Sequence, residues 1–154
     1  MTFNFNQSIN HLETYEEINN LIGDMLSIDE NDLEKASLDQ NRIFTMLQRL
    51  FSVHTRKLEK AISNTKKVEL HRWKYYTGAL TSEEYKKEEP LRVKPLKSDV
   101  DKYLKIDDLI IEVKSIESEQ DRIVKLIEDA QKERTARGFN IKNILEYKKF
   151  MAGG

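Results

Sequence analysis

Residues 32–76 contain neither glycine nor proline. A row of mostly apolar side chains recurs within this stretch at alternating steps of three and four: Phe44, Leu47, Phe51, His54, Leu58, Ala61, Thr65, Val68, Arg72. Helical residues three and four apart share a face, so this spacing is a heptad seam on one long helix. The seam is apolar at its start and becomes polar and basic toward its end. Gly78 follows as a helix stop, because glycine adopts the left-handed C-terminal conformation without a Cβ penalty.

A second seam follows the same rule: Ile106, Leu109, Val113, Ile116, Gln120, Ile123, Ile127, Ala130 and Arg134. It predicts a helix from about Asp99 or Asp107 to Arg137. Gly138 is expected to break or bend it, leaving residues 139–152 as a short amphipathic C-terminal helix. Between the long helices, Thr81-Ser82-Glu83-Glu84 has the form of a capping box. Pro90 and Pro95 predict an extended linker, since each removes a donor and disfavours helix just before it. Leu91 and Val93 are candidates for a short edge strand there. Upstream, helical spacing starts near Ile9 and runs to Leu26, and residues 1–8 are expected to be frayed. The expected fold is all-α: two long heptad-patterned helices, a Pro-containing linker and a short C-terminal helix. Residues 1–26 are expected to form an acidic N-terminal helical extension and residues 27–154 a single helical domain.

Composition bears on assembly. Charged residues make up 34% of the chain and apolar residues 38%, a low apolar share for a compact globule. Two seams with few other apolar residues favour completion of the core by further copies of the chain, a homo-oligomer. The net charge of −1 hides strong segregation. From His11 to Asp39 nine acids face one base, Lys35. From Arg56 to Lys74 seven bases face Glu59 and Glu69. Residues 132–149 are basic again.

No cysteine is present, which excludes disulfides and thiolate sites. The three histidines lack ligand spacing, so no metal is expected. No glycine-rich phosphate loop exists, and the adjacent carboxylate pairs do not face each other on a helix. No enzyme activity and no cofactor is expected. The start of the chain lacks the apolar core of a signal peptide, and no run is long and apolar enough for a membrane span.

One stretch carries a functional signal: Lys66-Lys67-Val68-Glu69-Leu70-His71-Arg72-Trp73-Lys74-Tyr75-Tyr76-Thr77-Gly78. Cations neutralise phosphates, and aromatic faces stack on unpaired bases. Lys60, Lys67 and Lys74 are seven apart and share a face. The ordinary role for Trp73 and Tyr76 is packing against the second long helix, although the sequence does not fix whether either is buried; Tyr75 then points elsewhere and is the stacking candidate. The candidate DNA-binding residues are Lys60, Lys66, Lys67, Arg72, Lys74 and Tyr75.

The Tyr75-Tyr76-Thr77-Gly78 helix end, Tyr85-Lys86-Lys87-Glu88-Glu89, residues 101–107, and Arg137-Gly138-Phe139-Asn140-Ile141-Lys142-Asn143-Ile144 with Phe150-Met151-Ala152-Gly153 together resemble the UvsY recombination mediators of tailed bacteriophages. The resemblance covers roughly residues 27–154. It implies an all-helical, ring-forming homo-oligomer without catalytic activity, acting in the cytoplasm of the infected bacterial host. It further implies binding to single-stranded DNA, to the phage single-strand-binding protein and to a RecA-like recombinase, which the protein helps onto DNA. The family pattern Leu-Lys-x-Arg-x-x-Tyr-Tyr-Ser-Gly stands here as residues 69–78. Arg72 is kept, and Leu70 occupies the position of the family lysine. Lys66, Lys67 and Lys74 are the nearby cations that can replace its charge. The alternative reading is a structural coiled-coil adaptor with no nucleic-acid role.

Overall fold

The structure, a computed structural model, describes residues 2–153. Five α-helices are present among the described residues: α1 (Tyr15–Leu26), α2 (Leu33–Thr77), α3 (Ser82–Lys86), α4 (Val100–Lys105) and α5 (Asp108–Met151). A single 3-10 turn, Lys97–Asp99, leads into α4. No strand occurs among the described residues, so Leu91 and Val93 lie in irregular chain. The two prolines around them withhold the donors that a strand ladder needs.

Helix α1 starts at Tyr15, later than the apolar spacing suggests, because Thr14 and Glu17 form a capping box. The Thr14 hydroxyl accepts from Glu17 N at 3.1 Å, and the Glu17 carboxylate accepts from Thr14 N at 3.2 Å. At the start of α2, Asp32 Oδ1 accepts from Lys35 N at 3.1 Å. Helix α2 ends where Gly78 takes φ +80° and Ala79 N donates to Lys74 O at 2.9 Å. That bond satisfies one of the carbonyls left open at a helix C-terminus.

Helix α5 runs through Gly138 without a break, so residues 139–151 are a continuation of α5 and Ala152 lies in the turn after it. The glycine answers a packing demand. A Cβ built there would lie 3.0 Å from the Gln40 amide nitrogen, which donates to Arg134 O at 2.9 Å.

The chain forms two compact units. One comprises the chain up to Arg56 together with the chain from Asp121; the other is Lys57–Gln120. In the first unit, Ile18, Leu21, Ile22 and Met25 of α1 share a core with Ile43, Met46, Leu47 and Leu50 of α2 and Ile123, Ile127 and Ala130 of α5. Each fully buried Leu or Ile contributes about 1.5–3 kcal/mol. The N-terminal residues are part of this packing: Ile9 is buried, and Phe3 and Phe5 lie against the core where fraying was expected.

Arg137 ties the first unit together from α5. Its Nε donates to Leu26 O at 3.1 Å, Nη1 to Ala36 O at 2.8 Å and Gln40 Oε1 at 2.7 Å, and Nη2 to Ser27 O at 3.2 Å. Burial pushes its pKa down, and the field of Asp39 partly offsets that.

The second unit has a smaller core of Tyr75, Tyr76, Leu80 and Val100. Here the second seam departs from expectation. Ile123, Ile127 and Ala130 are buried in the first unit, but Ile106, Leu109 and Ile116 are exposed. On α2, Leu47, His54, Thr65 and Arg72 are buried as the seam requires, and Phe44 is exposed.

Candidate nucleic-acid interface

The C-terminal end of α2 is locked by one carboxylate. Asp107 precedes α5, and its Oδ1 accepts from Leu109 N at 3.0 Å and Ile110 N at 3.2 Å, capping that helix. Its Oδ2 accepts from Arg72 Nε at 2.8 Å and from the Tyr76 hydroxyl at 2.6 Å. Burial alone would raise the Asp107 pKa; the hydrogen bonds from Tyr76 and Arg72 outweigh it and hold the carboxyl below its ordinary range. Burial opposes the Arg72 charge too, yet its contacts with Asp107 and Tyr76 raise its pKa. Burial and the bond to Asp107 push the Tyr76 phenol up.

Arg72 has a second acid, with Nη1 to Glu88 Oε2 at 3.2 Å, and Glu88 Oε1 lies 2.8 Å from His71 Nε2. The guanidinium carbon sits 4.1 Å from the centroid of the Tyr75 ring. Such cation–π contact adds about 1 kcal/mol or more when desolvated. Tyr75 meets Tyr76 edge to face at 5.1 Å, and its hydroxyl donates to Glu89 O. The Tyr85 hydroxyl lies 3.0 Å from the Tyr75 carbonyl oxygen and 3.2 Å from that of Lys74, so its one proton is shared between two acceptors at the helix end.

This places the sequence candidates in two groups. Arg72 is only 8% exposed and Tyr75 only 5%, so both are interior residues of the second unit. The expected exposure of Tyr75 does not hold: Tyr85, Tyr76 and the Glu89 carbonyl cover it. Trp73, whose burial the sequence leaves open, is 46% exposed. Lys60, Lys66 and Lys67 are exposed, and Lys74 is half-buried. None of these lysines has an ion-pair partner among the described residues.

Their spacing arranges them in two neighbouring stripes. Lys66, Leu70 and Trp73 fall at i, i+4 and i+7, while Lys60, Lys67 and Lys74 repeat every seventh residue. Trp73 and Leu70 line a cavity of about 490 Å³ with Leu104, Lys105, Ile110 and Lys114. Lys114 is paired with Glu69 at 3.1 Å. Sequence reasoning missed Asp107 and Glu88 as partners of the motif. A usable signal was the helix start that Asp107 marks, but nothing local linked it to Arg72.

The described residues form an all-helical protein whose α2 carries, near its C-terminal end, lysines without an ion-pair partner among the described residues and an exposed indole. A family model described as recombination, repair and ssDNA binding protein UvsY matches residues 22–154. The chain belongs to that family. Comparison with curated proteins and with solved structures gave no match. No described helix is long and apolar enough to cross a membrane.

Proposed function

We propose that this protein is a recombination mediator that holds single-stranded DNA along residues 60–74 of α2 and promotes loading of a RecA-like phage recombinase in place of single-strand-binding protein. The observation that carries the reading is the unpaired set Lys60, Lys66, Lys67 and Lys74 beside the exposed Trp73 ring. The lysines take phosphates, and Trp73 offers the stacking face. Arg72 and Tyr75 hold the end of α2 in shape rather than present their own surfaces to the strand.

Exposed Ile106, Leu109 and Ile116, and Phe139, Tyr147 and Phe150 on the last turns of α5, support assembly into a homo-oligomer. An oligomer repeats the weak lysine array and gains affinity by avidity. The setting is the cytoplasm of the infected bacterial host.

The test is binding to a fluorescent oligo-dT across a salt series, with Lys66→Ala/Lys67→Ala beside the wild type. Each lost phosphate contact lowers the slope of log affinity against log salt by about 0.7. On a strand coated with single-strand-binding protein, the wild type is expected to shorten the lag of recombinase filament assembly. Wild-type slope and affinity in the double variant would remove the proposed strand path. An unchanged lag would remove the loading role. An assembled protein that binds no strand at low salt would leave a structural adaptor.

A further inference from the structure

A second polar and aromatic site lies in the first unit. Asn4 Oδ1 accepts from Asn6 N at 3.0 Å, and the Asn4 carbonyl accepts from Gln7 Nε2 at 2.9 Å. These bonds fold the N-terminal segment into a turn. The turn sets the Phe3 and Phe5 rings edge to face, with centroids 4.8 Å apart. Both rings are half-buried against the core. Facing them on α2, Asn41, Thr45 and Arg49 fall at i, i+4 and i+8 and share a helix face.

Between turn and helix is a cavity of about 580 Å³, lined by Phe3, Phe5, Asn6, Asn41, Arg42 and Arg49 among others. The lining contains no carboxylate, although the sequence from His11 to Asp39 is the most acidic in the chain. Arg49 has no ion-pair partner among the described residues, and the side-chain amides of Asn6 and Asn41 make no hydrogen bond there. Arg42 uses Nη1 on Asp39 at 3.2 Å, and its side chain stays exposed.

We propose that this cavity is a second strand contact, holding one base-and-phosphate unit of single-stranded DNA. The proposal rests on the reading that the protein binds single strands. Ring faces suit a base, primary amides suit base edges, and guanidinium groups suit phosphate oxygens. An acidic peptide would engage the arginines and leave the amides and most of the ring surface unused. Phe3, Phe5 and Asn6 precede residue 22, where the family match begins, so the aromatic half of this contact comes from outside the matched region, while Asn41, Arg42 and Arg49 lie within it.

The experiment compares full-length wild type with Phe3→Leu and Arg49→Gln on fluorescent oligo-dT and on an abasic strand of equal length. Phe3→Leu keeps the apolar contact with the core, and Arg49 is exposed, so circular dichroism should show both variants folded. Phe3→Leu is expected to lower affinity for oligo-dT about tenfold and to leave the abasic strand unaffected. Arg49→Gln is expected to weaken both and to reduce the salt slope by about 0.7. A 5-iodouracil strand should cross-link to the peptide containing Phe3 and Phe5. If both variants bind as wild type while Lys66→Ala/Lys67→Ala is weakened, the cavity proposal falls and the strand-binding reading stands. Absence of strand binding by the wild type at low salt removes both. Arg49-dependent binding of a poly-glutamate peptide, with oligo-dT unaffected by either variant, overturns the nucleotide assignment.

Discussion

Arg72 and Asp107, 35 positions apart, meet through Nε and Oδ2 at 2.8 Å with both side chains almost wholly buried. The pair joins the end of α2 to the start of α5. The same carboxylate also takes the Tyr76 hydroxyl and caps α5. Removing one partner of a buried ion pair leaves the other charge uncompensated. Asp107→Asn keeps an acceptor for the cap and removes the charge. We expect it to lower stability by about 3 kcal/mol, read from urea unfolding. Asp107→Ala also loses the cap, about 1 kcal/mol more. Equal stability of wild type and Asp107→Asn would show that the pair contributes nothing net.

The same carboxylate sets an acid limit. Asp107 is held below the ordinary carboxylate range when folded, despite the burial that opposes this. The unfolded chain therefore binds its proton more readily. The contribution is fully present above the unfolded value of about 4 and is lost as pH falls through the lower folded value. Urea midpoints measured from pH 6 downward should drop below about pH 4. The drop should be shallower in Asp107→Asn, which has nothing to titrate at that position.

The motif around Arg72 shows what periodicity can reach. Position 72 falls on the 3-4 seam, so its burial was implied by spacing even as its charge suggested a contact surface. Its partners were not legible, because Asp107 and Glu88 come from outside α2. Tyr75 and Tyr76 are adjacent, and a one-helix pattern allows only one of them to face the seam. Both are buried because separate segments cover two sides of the helix: Tyr85 and Glu89 on one, Tyr103 and Asp107 on the other. With those sides covered, Trp73 is left at the surface. Gly138 was misread for a similar reason. Its explanation is the side chain of Gln40, 98 positions earlier, and no local signal carries it.

The two helical glycines therefore separate experimentally. Gly23 lies exposed in α1 with nothing within 4 Å of a built Cβ. Gly23→Ala should raise stability by about 0.5–1 kcal/mol through helix propensity alone. Gly138→Ala should forgo that gain, because Gln40 must give way by a few tenths of an ångström against its bond to Arg134 O. Thermal unfolding of the two variants side by side checks the contrast. A gain at Gly138 matching that at Gly23 would mean Gln40 moves at no cost.

Arg137, the residue before Gly138, is held by a network of its own. Its guanidinium reaches three backbone carbonyls and one side-chain amide with its fork of donors. A lysine ammonium is a point donor on a flexible stem and cannot span that set. Arg137→Lys should cost about 2 kcal/mol despite the kept charge, since buried carbonyls lose their partners. Chemical denaturation reads it. Wild-type stability in Arg137→Lys would mean the charge matters and the fork does not.

Trp73 gives the strand-binding reading an intrinsic reporter, because it is the chain's single tryptophan and is 46% exposed. It follows Lys66 by seven residues and Leu70 by three, so a strand neutralised by Lys66 and Lys67 passes close to the indole. Stacking of a base on the ring should quench its emission in step with oligo-dT binding. An abasic strand of equal length should bind through phosphates with far less quenching. Trp73→Ala should lower affinity about tenfold while leaving the salt slope unchanged, because stacking releases no counterions. Trp73→Ala lies outside the buried core of the second unit, so a loss of binding there reports on the surface. Emission unchanged at saturating strand, with Trp73→Ala binding as wild type, would move the strand off this stripe of α2 and leave the lysines alone as its contacts.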